Sequence, residues 1–101
     1  MLIRFAVHYV DPEARVILYG SQARGEANKW SDWDVIVLCE DPLTPAYRRK
    51  ILDALYEVEL GTGEIISAVV IDEATWQARG KGTPFFENVV NDGIVLLPLA
   101  A

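Results

Sequence analysis

The chain has 101 residues, enough for one compact domain with its own core and too few for two, so residues 1–101 are read as a single domain. Hydrophobic residues make up 51% and charged residues 24%, the balance of a globular protein rather than a disordered one. Fifteen Asp and Glu against nine Lys and Arg leave a net charge of −6, which opposes direct nucleic-acid binding, because that affinity comes mainly from cations neutralising phosphates.

The elements follow in chain order. Leu2, Phe5, Ala6 and Tyr9 fall at helical spacing and Asp11-Pro12 breaks the pattern, which predicts a helix over 2–10 and then a turn. Arg15 to Tyr19 is a short β-rich run that stops at Gly20, and Ser21 is placed to cap a brief helix through Ala27. Residues 33–39, Trp-Asp-Val-Ile-Val-Leu-Cys, form a near-continuous apolar strand, the pattern of a strand covered on both faces by helices or by a partner. Cys39 lies within it. A lone cysteine excludes a disulfide framework and a Cys-based metal site, and here it reads as a small core residue rather than a nucleophile.

Thr44-Pro45 is a cap followed by proline at the first helical position. Tyr47, Ile51, Ala54, Leu55 and Val58 then mark one helical face until Gly61. The basic triplet Arg48-Arg49-Lys50 on that helix reads as a solvated face. Ile65 to Ile71 is another strand, and Asp72 is placed to cap a short helix carrying Trp76 before the Gly80-Lys81-Gly82 break. Thr83-Pro84 repeats the cap–proline signal, the helix closes on Gly93, and Ile94 to Leu97 is a last strand before Pro98. The order αβαβαβααβ predicts an α/β (α+β) sandwich with a small mixed sheet of about four strands. No internal repeat, linker or low-complexity stretch interrupts it. The apolar runs are all far shorter than the roughly 20 residues that cross a bilayer, and the start, Met1-Leu2-Ile3-Arg4-Phe5, lacks the order of a signal peptide. The expected compartment is the cytoplasm, with no membrane partner.

The chemistry is concentrated in Tyr19-Gly20-Ser21-Gln22-Ala23-Arg24-Gly25 and in Ser31-Asp32-Trp33-Asp34, which opens the apolar strand. Side chains alternate along a strand, so Asp32 and Asp34 project to one side and Trp33 to the other. Two neighbouring carboxylates repel, and each favours its protonated form unless a divalent cation neutralises them. Hard oxygen ligands completed by phosphate suit Mg²⁺ or Mn²⁺. Gly20 lets the backbone approach a phosphate closely, and Ser21 offers a hydroxyl beside the free N–H groups of a helix start. Such a site holds a triphosphate at one end and its metals at the other, an arrangement suited to in-line phosphoryl or nucleotidyl transfer. Taken singly, Gly-Ser is also ordinary turn chemistry, Asp-x-Asp also an exposed strand edge, and Arg24 either a surface cation or a bidentate phosphate ligand. Together, the spacing of these residue types points to one shared site. A P-loop ATPase is excluded, since no Gly-Lys-Ser/Thr follows a glycine-rich loop.

Gly20-Ser21, ten intervening residues and then Asp32-x-Asp34, with Ala23-Arg24-Gly25 and Ser31 between, resembles the signature of the minimal nucleotidyltransferases of the DNA polymerase β superfamily. The motif covers about residues 16 to 38. The leading helix ending in Asp-Pro, and the Pro84-Phe85-Phe86-Glu87-Asn88-Val89 helix closing at Gly93, also resemble these small proteins. The resemblance implies that Gly20 and Ser21 bind the nucleotide phosphates and that Asp32 and Asp34 bind catalytic Mg²⁺, two ions being usual; Arg24, one turn beyond Ser21, is read from its position as a further phosphate ligand. The superfamily generally adds a third carboxylate on a later strand. No Asp lies within Ile65 to Ile71, so Glu64 at the entrance to that strand is the nearest third ligand, with a solvated turn residue as its alternative. Were Ser67 to stand in that place, the site would have two acids, with weakened or absent catalysis and retained nucleotide binding.

Larger superfamily members add a domain for the base or a nucleic acid, and a chain of this length has no room for one, so the acceptor is expected to come from another molecule. Many minimal members are encoded beside small helical HEPN proteins and act as the antitoxin, in active examples by transferring AMP from ATP to a tyrosine of the partner. The resemblance therefore implies a HEPN-type partner, and the alternative is a module that neutralises it by binding alone. Trp30, Trp33 and Trp76 suit either a partner surface or the core. The apolar content is also compatible with homodimerisation.

Overall fold

The computed structural model describes residues 2–40, 43–80 and 82–98. In chain order these form α1 (Leu2–Val10), β1 (Arg15–Tyr19), α2 (Gly20–Arg24), β2 (Trp33–Cys39), α3 (Pro45–Thr62), β3 (Ile66–Asp72), α4 (Glu73–Gly80), α5 (Pro84–Asp92) and β4 (Ile94–Leu97). This is the order read from the sequence. The strands make one mixed sheet in the order β3-β2-β1-β4. β1 runs antiparallel to both β2 and β4, while β2 and β3 are parallel because the long helix α3 carries the chain back across the sheet.

Alternation along β2 divides the interior in two. Val35, Val37 and Cys39 join Val16 and Leu18 in a core closed by Ile3 and Val7 of α1 and by Ile51 and Leu55 of α3. Ile36 and Leu38 point the other way, to Ile17, Trp76 of α4 and Val89 of α5. Both faces of β2 are thus covered by helices, which accounts for its uninterrupted apolar run. Cys39 is buried, and burial, followed by the nearby Asp11 and Asp72 charges, pushes its thiol up to about 11. It stays protonated and behaves as a core residue.

The cap signals are realised as hydrogen bonds. Thr44 Oγ1 accepts from the Tyr47 N–H (3.1 Å), Thr83 Oγ1 from Phe86 (3.1 Å) and Asp72 Oδ1 from Thr75 (2.7 Å). The bonds from Thr75 hold the Asp72 carboxyl below its ordinary range. Arg48, Arg49 and Lys50 are all exposed, the solvated face expected, on which Arg48 Nη2 donates to the Val70 carbonyl at 2.9 Å and Arg49 pairs with Asp53 at 3.2 Å. Of the tryptophans, Trp76 is core at 6% exposure, Trp33 is half-buried and Trp30 stands 79% exposed.

Three boundaries differ from expectation. The helix α2 ends at Arg24 rather than Ala27, because Gly25 takes a left-handed conformation and closes the turn onto the Ser21 carbonyl. Ser21 is not its cap, since the N-cap position is Tyr19 and no side chain caps the turn there. The helix α3 passes through Gly61 and stops at Gly63, whose N–H reaches the Glu59 carbonyl at 2.8 Å. β3 accordingly begins at Ile66. The third residue of the expected Gly80-Lys81-Gly82 break, Gly82, precedes the Thr83 cap, while Lys81 lies outside the described residues.

At the end of α5 the Gly93 N–H bonds the Val89 carbonyl at 2.8 Å. A Cβ built on Gly93 would strike that carbonyl and come within 2.8 Å of Ile17 Cγ2. Gly93→Ala is therefore expected to cost about 1–3 kcal/mol through overpacking. In a denaturant titration this would appear as a lower midpoint at unchanged slope, and an unaltered midpoint would show that the corner relaxes freely.

Candidate active site

The end of β1 and the start of β2 build the site. Tyr19, the last residue of β1, pairs with Asp34, so the chain turns at Gly20 directly beside that carboxylate. Gly20 has φ +76°, in the left-handed region that side chains avoid. A Cβ there would also fall on Asp34 Oδ2 and stand 3.2 Å from its Cγ. The turn thus brings bare backbone against a carboxylate, with Ser21 next in the first turn of α2, where N–H groups lack intrahelical partners.

A small network fixes the loop that returns to β2. Asn28 Oδ1 accepts the Trp30 N–H at 2.8 Å, the Asn28 carbonyl accepts the Ser31 N–H at 3.0 Å, and the Asn28 N–H donates to Ser31 Oγ at 3.0 Å. Gln22 Nε2 donates to the Ser31 carbonyl at 3.3 Å, which ties the loop back to α2. The neighbouring Asp32 is held by this frame, and the pleat places Asp34 on the same side. The Asp34 carboxyl lies above its ordinary range, first because of burial and then because of the Asp32 charge, with Arg24 opposing. Burial and Asp34 likewise raise the Tyr19 phenol. The site is a place of crowded negative charge, and a bound cation reverses that penalty.

Ser67 completes the group. The parallel register sets it opposite Asp34, on the same face, and its Oγ donates to Asp32 Oδ2 at 3.2 Å. Glu64, expected as the third metal ligand, is not brought into the group. It lies two residues before β3, exposed, with its N–H bonded to Thr62 Oγ1 at 3.2 Å. It shares with Asp32 only the lining of an open depression of ≈ 260 Å³. Among the described residues, no three His, Cys, Asp or Glu side chains gather to hold a metal ion. The placement has a simple origin: α3 runs past Gly61, the strand starts at Ile66, and Glu64 lies before the pleat while Ser67 lies on it.

Arg24 also departs from a free phosphate ligand. Its Nη1 donates to Asp92 Oδ2 of α5 at 2.9 Å and its Nε lies 3.4 Å from Glu26, so it ties α2 to α5 and acts on Asp34 as a nearby charge. Two further residues, neither assigned to the site from the sequence, border it. Asp92 holds Arg24, and Phe85 packs edge-on against Tyr19 with centroids 5.3 Å apart.

The donor set suits a divalent cation. Asp32 and Asp34 offer hard oxygen ligands of the right charge, and Gly20 lets the backbone lie against Asp34 where a side chain would not fit. A strand–turn–helix that sets bare backbone beside paired carboxylates at the head of the next strand is the arrangement of a nucleotidyltransferase domain. The nucleotidyltransferase domain family matches residues 2–93, and the chain belongs to it. A protein of Methanocaldococcus jannaschii provisionally named a protein adenylyltransferase is 31% identical over 80 residues, covering 79% of this chain and 75% of that one. Two solved structures share the fold. One is a toxin–antitoxin with AMP-PNP (TM-score 0.61, 21% identity, 92% of this chain and 68% of the other). The second is the toxin–antitoxin MntA-HpeT carrying two Asp-to-Glu changes (TM-score 0.62, 19% identity, 92% and 68%). The mixed four-stranded sheet flanked by helices is thus the polymerase β-type nucleotidyltransferase fold that the sequence motif suggested. No helix among the described residues is long and apolar enough to cross a membrane.

Proposed function

We propose that this chain is a Mg²⁺-dependent nucleotidyltransferase that transfers AMP from ATP to a hydroxyl group of a partner protein. The partner in this reading is a small helical HEPN-type protein that the chain neutralises as its antitoxin. The observation that carries the reading is the approach of Asp34 to the backbone of Gly20, so close that a Cβ there would fall on the carboxylate; it supports a turn that accepts phosphate next to carboxylates that hold a cation. The adenylyltransferase relative supports the reaction, and the toxin–antitoxin neighbours support the type of partner.

Gly20 and Ser21 receive the phosphates through backbone and hydroxyl. Asp32 and Asp34 hold the cation, Mg²⁺ or Mn²⁺, and Arg24 with Asp92 keeps α2 in place against α5. When bound, the cation neutralises charge developing on the phosphates and orients the attacking and leaving oxygens. Tyr19, paired with Asp34 across the strands, packs edge-on against Phe85 of α5.

Calorimetric titration with Mg-ATP tests the reading. Wild type is expected to bind only with magnesium present, and Asp32→Asn combined with Asp34→Asn is expected to lose that binding. Equal binding by both proteins would overturn it. A second reading is favoured by Ser67 standing where another acid would strengthen the metal site: the chain neutralises its partner by binding alone. In that case the same double variant still relieves toxicity when co-expressed with the partner.

A further inference from the structure

We infer that Ser67 limits this site to one divalent cation, held with the nucleotide by Asp32 and Asp34, and that an acid at position 67 would admit a second. The inference rests on the nucleotidyltransferase reading and specifies its metal site. A two-ion centre sets its cations about 3.5–4 Å apart, so their mutual repulsion must be offset by carboxylates that bridge them and by further anionic ligands. This chain brings two carboxylates together, enough to balance one dication. The third side chain on the same face is a neutral hydroxyl, in register with Asp34.

Ser67 does more than fail to add charge. Its Oγ–H points at Asp32 Oδ2 across 3.2 Å and occupies a lone pair of that oxygen. A hydrogen bond of this kind orients a carboxylate that ligates a metal, without adding the negative charge that a second cation would require. Glu64 cannot substitute, since it lies off the strand and outside any three-acid group among the described residues. Ser67 is therefore a positioning residue for Asp32, and it separates nucleotide binding, which one cation supports, from activation of the acceptor hydroxyl, which a second would assist. Position 67 is exposed, so a longer side chain has room there.

Native mass spectrometry of the full chain with Mn²⁺ and AMP-PNP counts the ions on the nucleotide-bound species. One Mn²⁺ per chain is expected for wild type and for Ser67→Ala, and two for Ser67→Asp, with Ser67→Glu as a second gain variant should the first fold poorly by circular dichroism. Two ions on the wild type, or one ion on both folded acidic variants, would overturn the inference while leaving nucleotide binding established. Absence of any Mn²⁺-dependent nucleotide adduct on the wild type would overturn this inference and the nucleotidyltransferase reading together.

Discussion

Asp34→Asn is expected to leave the metal-free protein as stable as the wild type or more so, while abolishing the stabilisation that the proposed function predicts for magnesium with nucleotide. The folded Asp34 carboxyl lies above its ordinary range because of burial and the neighbouring Asp32 charge. A carboxyl raised in this way binds its proton more tightly folded than unfolded. Its contribution therefore favours the fold at low pH and is lost as pH rises from the ordinary carboxylate value through the raised one. At neutral pH the ionised Asp34 costs stability, and asparagine removes the charge at nearly constant volume. A cation bound as proposed would do the same for the wild type by another route. A ligand at 100 times its Kd adds about 2.7 kcal/mol to the folded state, which a thermal melt detects readily. Loss of groups that merely support a metal ligand costs about 10–100-fold in affinity or activity, so loss of the ligand itself is expected to cost more than about 100-fold in transfer. Equal magnesium stabilisation of both proteins would place the ion elsewhere, and a marked loss of stability without metal would make Asp34 a structural group.

Much of the fold was legible because its signals are local. The cap–proline pairs at Thr44 and Thr83 fixed two helix starts, and the unbroken apolar run of β2 announced a strand covered on both faces. Asp32 and Asp34 were legible for the same reason, since two residues on one pleat need no tertiary information to share a face. What escaped depends on distance along the chain. Whether Glu64 or Ser67 stands beside Asp34 is decided by the register of two parallel strands joined through an eighteen-residue helix, and a slip of one residue exchanges the faces. The partner of Arg24, Asp92, lies 68 positions away and carries no local mark. The early end of α2 turns on the conformation of Gly25, which composition alone does not distinguish from that of Gly61, a glycine the helix α3 simply passes through.

Gly20 and Gly25 separate the two demands that a tight turn makes on glycine. Their backbones are nearly identical, at φ +76° and +74°, so alanine at either position pays the left-handed penalty of roughly 1–2 kcal/mol. Their surroundings differ. Nothing lies within 4 Å of a Cβ on Gly25, whereas one on Gly20 would fall on the Asp34 carboxylate. Gly25→Ala is thus expected to lower stability by that conformational cost alone and to leave Mg-ATP binding intact. Gly20→Ala is expected to cost somewhat more than that, because the end of the Asp34 side chain must turn aside, and, by displacing the carboxylate proposed to hold the metal, to weaken Mg-ATP binding more than about tenfold. Repeating Gly20→Ala in an Asp34→Ala background isolates the cause, because the overlapping atoms are then gone and only a Cβ at an ordinary 3.4 Å remains. In that background the loss of stability should shrink to the Gly25→Ala value. An undiminished loss would mean that the turn itself, and not its contact with Asp34, excludes a side chain, and the phosphate and metal halves of the site would then be independent.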